Sequence, residues 1–125
     1  MGLSVSFAAS GDDRERTAQL QRRLGELEAR EDAKYVKGAL QQARRALETA
    51  SGPLEDPSAA TRAQRIADAA MVLAGRQLAR RQSQATLLQT QRRLKAVRDR
   101  ANAQRRVLET LMRERAELAR STESP

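Results

Sequence analysis

The sequence predicts an all-α protein, an elongated antiparallel helical hairpin (a coiled coil) whose long second helix overhangs the first. Three observations carry that expectation. Apolar residues recur at steps of three and four along two long stretches, the spacing of a single helical face. One turn rich in Gly and Pro separates the two stretches. Aromatic residues are only 2% of the 125, namely Phe7 and Tyr35, and the hydrophobic fraction of 39% is largely alanine, so a large globular core is not expected.

The predicted organisation is a flexible N-terminal tail over 1–11, a helical hairpin over 12–120 and a disordered tail over 121–125. Within the hairpin, one helix covers 12–51, a turn 52–56 and a second helix 57–120. Asp12, Asp13 and Glu15 put negative charge in the first turn, and Asp12-x-x-Glu15 has the spacing of a capping box. Leu20, Leu24 and Leu27, then Ala29, Ala33, Val36, Leu40, Ala43, Leu47 and Ala50, continue the apolar spacing. Gly25 and Gly38 each cost about 1 kcal/mol relative to alanine and are expected to weaken the helix without ending it.

The segment Ser51 to Pro57 ends it. Gly52 suits a left-handed position after a helix C-terminus, and Pro53 cannot continue the hydrogen-bond ladder. Asp56 followed by Pro57 reads as the N-cap and first residue of the next helix. That helix has a broad, alanine-rich face at Ile66, Ala67, Ala70, Met71, Leu73, Ala74, Leu78 and Ala85. Farther on, Leu87, Leu94, Ala101 and Leu108 repeat every seven residues, with Val97, Gln104, Leu111 and Leu118 as the companion row, an a/d seam. The polar stretch Arg80 to Gln84 lies between the two phases, where a stutter or small bend would sit.

At 1.5 Å per residue the two helices would be roughly 60 and 96 Å long. Folded antiparallel, they would leave about 24 residues of the second helix without a partner, and a lone amphipathic helix of that length is marginal in water. The residues expected to contact a partner helix are therefore Leu94, Val97, Ala101, Leu108, Leu111 and Leu118. The expected partner is a second copy or another helical protein.

Absences narrow the chemistry. With no Cys and no His, disulfides, Cys/His zinc sites, thiol nucleophiles and serine–histidine triads are excluded. Glu26, Glu28, Glu31 and Asp32 cluster, but a di-metal helical site would also want histidines, so these acids read as surface partners of Arg and Lys. Phosphate loops, nucleophile elbows and HExxH are absent. No enzymatic activity and no cofactor are expected. Tyr35, beside Val36 of the stripe, is expected to pack its ring while its hydroxyl stays wet.

Charge is uneven. The total is +8, yet residues 1–57 hold 9 basic and 10 acidic residues and residues 58–125 hold 15 and 6. Arg62, Arg65, Arg76, Arg80, Arg98 and Arg105 lie within about 60° of one direction on a helical wheel, a possible phosphate-contacting row. Stacking aromatics are missing and the remaining arginines scatter around the wheel, so a solvated basic face is the preferred reading and nucleic-acid binding the alternative. Arginine exceeds lysine 21 to 3, a bias that GC-rich bacterial genomes produce.

No stretch reaches the ~18 consecutive apolar residues of a transmembrane helix. The opening MGLSVSFAAS lacks the basic start and apolar length of a secretory signal, though its small-residue end fits the remnant of one. Gly2 with Ser6 also matches the N-myristoylation pattern, which needs a eukaryotic enzyme.

The segment AKYVKGALQQARRALETA, a short Pro/Asp turn and ATRAQRIADAAMVLAGRQLA resemble the uncharacterised alanine-rich helical-hairpin domain of bacterial envelope proteins and lipoproteins, a domain of unknown function. Leu40, Ala43 and Leu47 before the turn, and Ala63, Ile66, Ala67, Ala70 and Ala74 after it, carry the resemblance. It covers about Ala33 to Ala79. The chain departs from the pattern in lacking a lipobox Cys, a full signal peptide and an OmpA-like domain. The resemblance implies an envelope location, with periplasm or outer-membrane periphery favoured over cytoplasm, and no chemistry. The expected function is a non-enzymatic coiled-coil scaffold or assembly protein. The alternatives are a basic nucleic-acid-associated protein and a coiled coil similar to the stalk proteins of type III and flagellar export.

Overall fold

The computed structural model describes residues 7–123 and is helical almost throughout. Helix α1 covers Gly11–Glu28, a 3-10 segment Glu31–Val36, α2 Lys37–Ser51 and α3 Ala59–Glu123. The all-α expectation holds. The Gly2/Ser6 pattern and the start of the expected targeting remnant fall on residues 1–6, outside the described residues, as 124–125 of the expected C-terminal tail also do, whereas the small-residue end of the remnant, 7–10, is described. Two units make up the chain, Met1–Gln82 and Ser83–Pro125, with α3 running through the boundary as one helix.

The single helix expected over 12–51 is three pieces. Helix α1 stops at Glu28, where the Ala29 N–H bonds the Gly25 carbonyl, and Arg30 turns extended at φ −71°, ψ 143°. The physical reason is the phase of the apolar face. At 100° per residue Leu20, Leu24 and Leu27 point roughly 150° away from Val36, Leu40, Ala43 and Leu47, so a straight helix could not bury both sets against one neighbour. The chain instead turns at 29–36 and lays α1 antiparallel along α2. Gln21 meets Ser51 at one end at 3.2 Å, and Glu28 pairs with Arg44 at the other.

The first part of α3 completes the bundle. Gln64 Nε2 donates to the Asp13 carbonyl at 3.0 Å and to Thr17 Oγ1 at 3.1 Å, and Arg23 pairs with Asp68 at 2.8 Å. Residue numbers rise together in these contacts, so α1 and the start of α3 run parallel. The shared core joins Leu20 and Leu24 of α1, Leu40, Ala43 and Leu47 of α2, and Ala67, Ala70, Met71, Ala74 and Leu78 of α3. Ala43 of α2 and Ala67, Ala70 and Ala74 of α3 are among these core residues, and small side chains let helix axes approach closely.

The faces of α3 differ in part from expectation. Ile66 and Leu73 are 50% and 47% exposed, and Ala85 is exposed, whereas Ala60, Ala63 and Gln64 are buried. Ile66 and Leu73 point more than 90° away from Ala67 on the wheel, outside the stripe that faces α1 and α2. The core ends at Leu78, and every residue of the second unit from Ser83 to Glu123 is exposed.

The helix ends also shift. Ser10, not Asp12, caps α1, its Oγ accepting from the Asp13 N–H at 3.2 Å, and Asp12 and Asp13 occupy the first turn. The tail expected over 1–11 is tied down from Phe7, whose backbone exchanges bonds of 3.0 and 3.2 Å with Leu54 in the turn, burying Leu54 to 3% exposure. Gly52 is extended at φ −93°, not left-handed, and its N–H closes α2 onto the Glu48 and Thr49 carbonyls. Helix α3 begins at Ala59 rather than 57 and continues to Glu123, so 121–123 are helical instead of a disordered tail.

Candidate functional site

At the turn, α3 starts at Ala59, so Asp56 is not the N-cap next to a first helical Pro57 that was expected; its carboxylate organises the turn ahead of the helix instead. Its Oδ1 accepts from the Ser58 N–H at 2.9 Å and the Ser58 hydroxyl at 2.6 Å. Arg62, one turn into α3, reaches back with Nη2 to Asp56 Oδ2 at 2.9 Å and with Nη1 to Ser58 Oγ at 2.6 Å. The Arg62 guanidinium, then the Ser58 bonds, hold the Asp56 carboxyl well below the usual carboxylate range, and the same contact raises Arg62. Arg62, the first member of the arginine row expected to meet phosphate, thus closes the turn and is engaged with Asp56 and Ser58.

The other members of that row divide between the units. Arg65, Arg76 and Arg80 are exposed in the first unit, and Arg98 and Arg105 in the second. Arg76 also borders a shallow cleft of about 500 Å³, lined by Arg23, Glu26, Leu27, Arg30 and Met71 among others. Arg23 and Arg30 at its rim are already paired, with Asp68 and Asp32.

Tyr35 is half exposed, and its ring is covered by a cation rather than by apolar neighbours. The Arg81 Cζ lies 3.4 Å from the ring centroid and Lys34 Nζ at 5.2 Å. Arginine stacks flat on an aromatic face, which both shields the ring and fixes the guanidinium. The sequence carries no local signal for this contact, because 46 positions separate the two residues.

Two of the four acids of the expected cluster, Glu28 and Asp32, are in ion pairs. Glu28 is taken by Arg44, and Asp32 accepts a two-pronged bond of 3.0 Å per arm from Arg30, which lowers its carboxyl pKa. Among the described residues no group of three or more acids could hold a metal ion.

The seam is the largest unexplained feature. Leu94, Val97, Leu108, Leu111 and Leu118 are 48%, 60%, 57%, 55% and 67% exposed, and Ala101 is exposed with them. All six lie in the second unit, on one helix, at steps of three, four and seven. Leu87 continues the row N-terminally at 58% exposure, and Val107 and Met112 widen the apolar strip. Single exposed leucines need no explanation, but a contiguous row of large apolar side chains on one face marks an interaction surface.

Flanking the seam are Arg93, Arg98, Arg100 and Arg105, while Glu109, Glu114 and Glu117 concentrate toward the end of α3. Within this unit Lys95 pairs with Asp99 at 3.3 Å along one helix face. Among the described residues no helix is long and apolar enough to cross a membrane. Searches against family models, curated proteins and solved structures each find no match to this chain.

Proposed function

We propose that this chain is a non-enzymatic coiled-coil assembly or scaffold protein of the bacterial cell envelope, acting through helix–helix contacts made by the second unit. The supporting observation is the row of large apolar side chains, about half to two thirds exposed, repeating at heptad spacing over Leu87 to Leu118. Water contact with such a row is unfavourable by about 25 cal/mol per Å² of apolar surface. A partner helix removes that contact by knobs-into-holes packing. The first unit, with its own core and turn, serves as the anchored end of the contact helix. The envelope setting rests on the sequence resemblance described above.

Changing Leu108 and Leu111 together to Asp tests the reading. The expected result is a fall in oligomeric mass or in partner capture, together with lower helicity; unchanged values of both would refute it. Fractionation of the source cells, following the natural gene with its upstream region, tests the location, and recovery in cytoplasm alone would refute the envelope setting.

A nucleic-acid reading is favoured by one observation, the 12 basic residues set against only Asp68 and Asp99 between Arg62 and Arg106. It predicts binding whose logarithm falls steeply with log salt. Undetectable DNA or RNA binding at about 50 mM salt would remove it.

A further inference from the structure

We infer that the helix over 83–123 pairs with the same helix of a second copy of this chain, antiparallel, in the register that sets Leu94 opposite Leu111 of the second copy. The inference rests on the helix-contact reading above and adds to it the identity and direction of the partner.

Apolar matching narrows the registers. With Leu87, Leu94, Ala101, Leu108 and Arg115 at a, and Thr90, Val97, Gln104, Leu111 and Leu118 at d, an antiparallel pair sets a residues against d residues. In the proposed register Leu87 meets Leu118, Leu94 meets Leu111 and Val97 meets Leu108, each twice by symmetry. Six of ten layers then join two large apolar side chains. Sliding one helix by a heptad in either direction leaves only two such layers. At the dyad, small Ala101 faces Gln104 and leaves room for its amide, a polar central layer of the kind that holds a coiled coil in one register. The same register places Ser83 opposite Thr122, so the two helices overlap along the whole second unit.

A parallel, in-register pair also has six such layers, so charge decides the direction. In the parallel pair each g residue faces the e residue of the next heptad, which sets Arg93 against Arg98 and Arg100 against Arg105, each twice. Arg115 then faces itself inside the seam. Every flanking pair of charges is alike. In the antiparallel pair g faces g and e faces e. Arg93 then meets Glu114 twice, Arg100 meets Val107, and Arg98 meets Arg105 twice. Two attractive contacts replace two repulsive ones, and Arg115 lies opposite Thr90. The contact is isologous and closes at two copies.

The chain has no cysteine, so single-thiol variants report orientation cleanly. Full-length Leu94→Cys and Leu111→Cys chains would be oxidised separately and as an equimolar mixture exchanged by unfolding and refolding. Sedimentation equilibrium of the unsubstituted chain would run alongside. The expected results are a mass of twice 13.9 kDa and a covalent dimer formed in the mixture but not by either variant alone. In the antiparallel pair two copies of residue 94 are about 25 Å apart along the axis, far beyond the ~4.4–6.8 Å between Cα atoms that a disulfide spans. Cross-linking of each variant alone would overturn the inference in favour of a parallel pair. A monomeric chain that binds a synthetic amphipathic peptide with glutamate at both flanking positions would overturn the inference and leave the helix-contact reading standing. A monomeric chain that binds no such helix would overturn both.

Discussion

Asp56 shows how much one side chain does at the turn. It satisfies the Ser58 N–H at the entrance to α3 and pairs with Arg62. Because its folded pKa is depressed, the stabilisation is fully present above the ordinary carboxylate value near 3.8 and is lost as pH falls through the lower folded value. Carboxyl NMR of Asp56 should therefore show a midpoint below 3.8, and Arg62→Gln should move it upward; an unmoved midpoint would deny the pairing. At the same end of the first unit, Ser10→Ala removes the side-chain cap of α1 and should cost about 1 kcal/mol in denaturant unfolding. Asp12→Ala, which removes no cap, should cost less. Tyr35 and Arg81 are a contact that sequence reasoning could not anticipate, since packing of the ring was foreseen but the guanidinium that covers it comes from another element.

For the elements, the instructive case is the break between α1 and α2. Its signal was present in the sequence as the half-turn jump in apolar phase between Leu27 and Val36. The jump falls at the step of two from Leu27 to Ala29, after which Ala33 and Val36 follow at four and three, and alanine, small enough to sit on either face, carries little directional information. Energetics in the bundle should follow burial. Leu47 is 2% exposed against 47% for Leu73, so Leu47→Ala should cost about 2–5 kcal/mol and Leu73→Ala well under half as much, measured by chemical unfolding. The two parts of α3 should also differ in amide exchange. Residues 60–78 pack in the core, whereas the helix from Ser83 has no packed face within one chain. Exchange should be slow in the first stretch at any concentration. In the second it should slow as protein concentration rises, and concentration-independent exchange there would argue against a helical partner of any copy number.

Across the whole molecule, the two units divide the work the sequence suggests: one has a core, the other an unpartnered seam. Salt should separate the two functional readings. Raising ionic strength screens the arginines flanking the seam, so it should leave helix pairing intact or strengthen it, while any nucleic-acid binding should weaken steeply. Opposite trends in one titration, followed by light scattering and by a labelled duplex, would show which contact the basic face serves.

Much of this protein was determined by the sequence alone. Heptad spacing and the Gly–Pro turn are local, set by residues one to seven positions apart, and they specify helices, a turn after Ser51 and the apolar seam of Leu94 to Leu118. What only the tertiary structure decided is which faces are covered. Gln64 is buried because Thr17 and the Asp13 carbonyl receive its amide, and Ile66 is exposed because α1 and α2 lie on another side of α3. Likewise α1 folds back because Leu20 and Leu24 find a shared core only beside Leu47 and Met71. Burial is a property of neighbours that are distant along the chain, and a helical period states which residues share a face without stating what that face will meet.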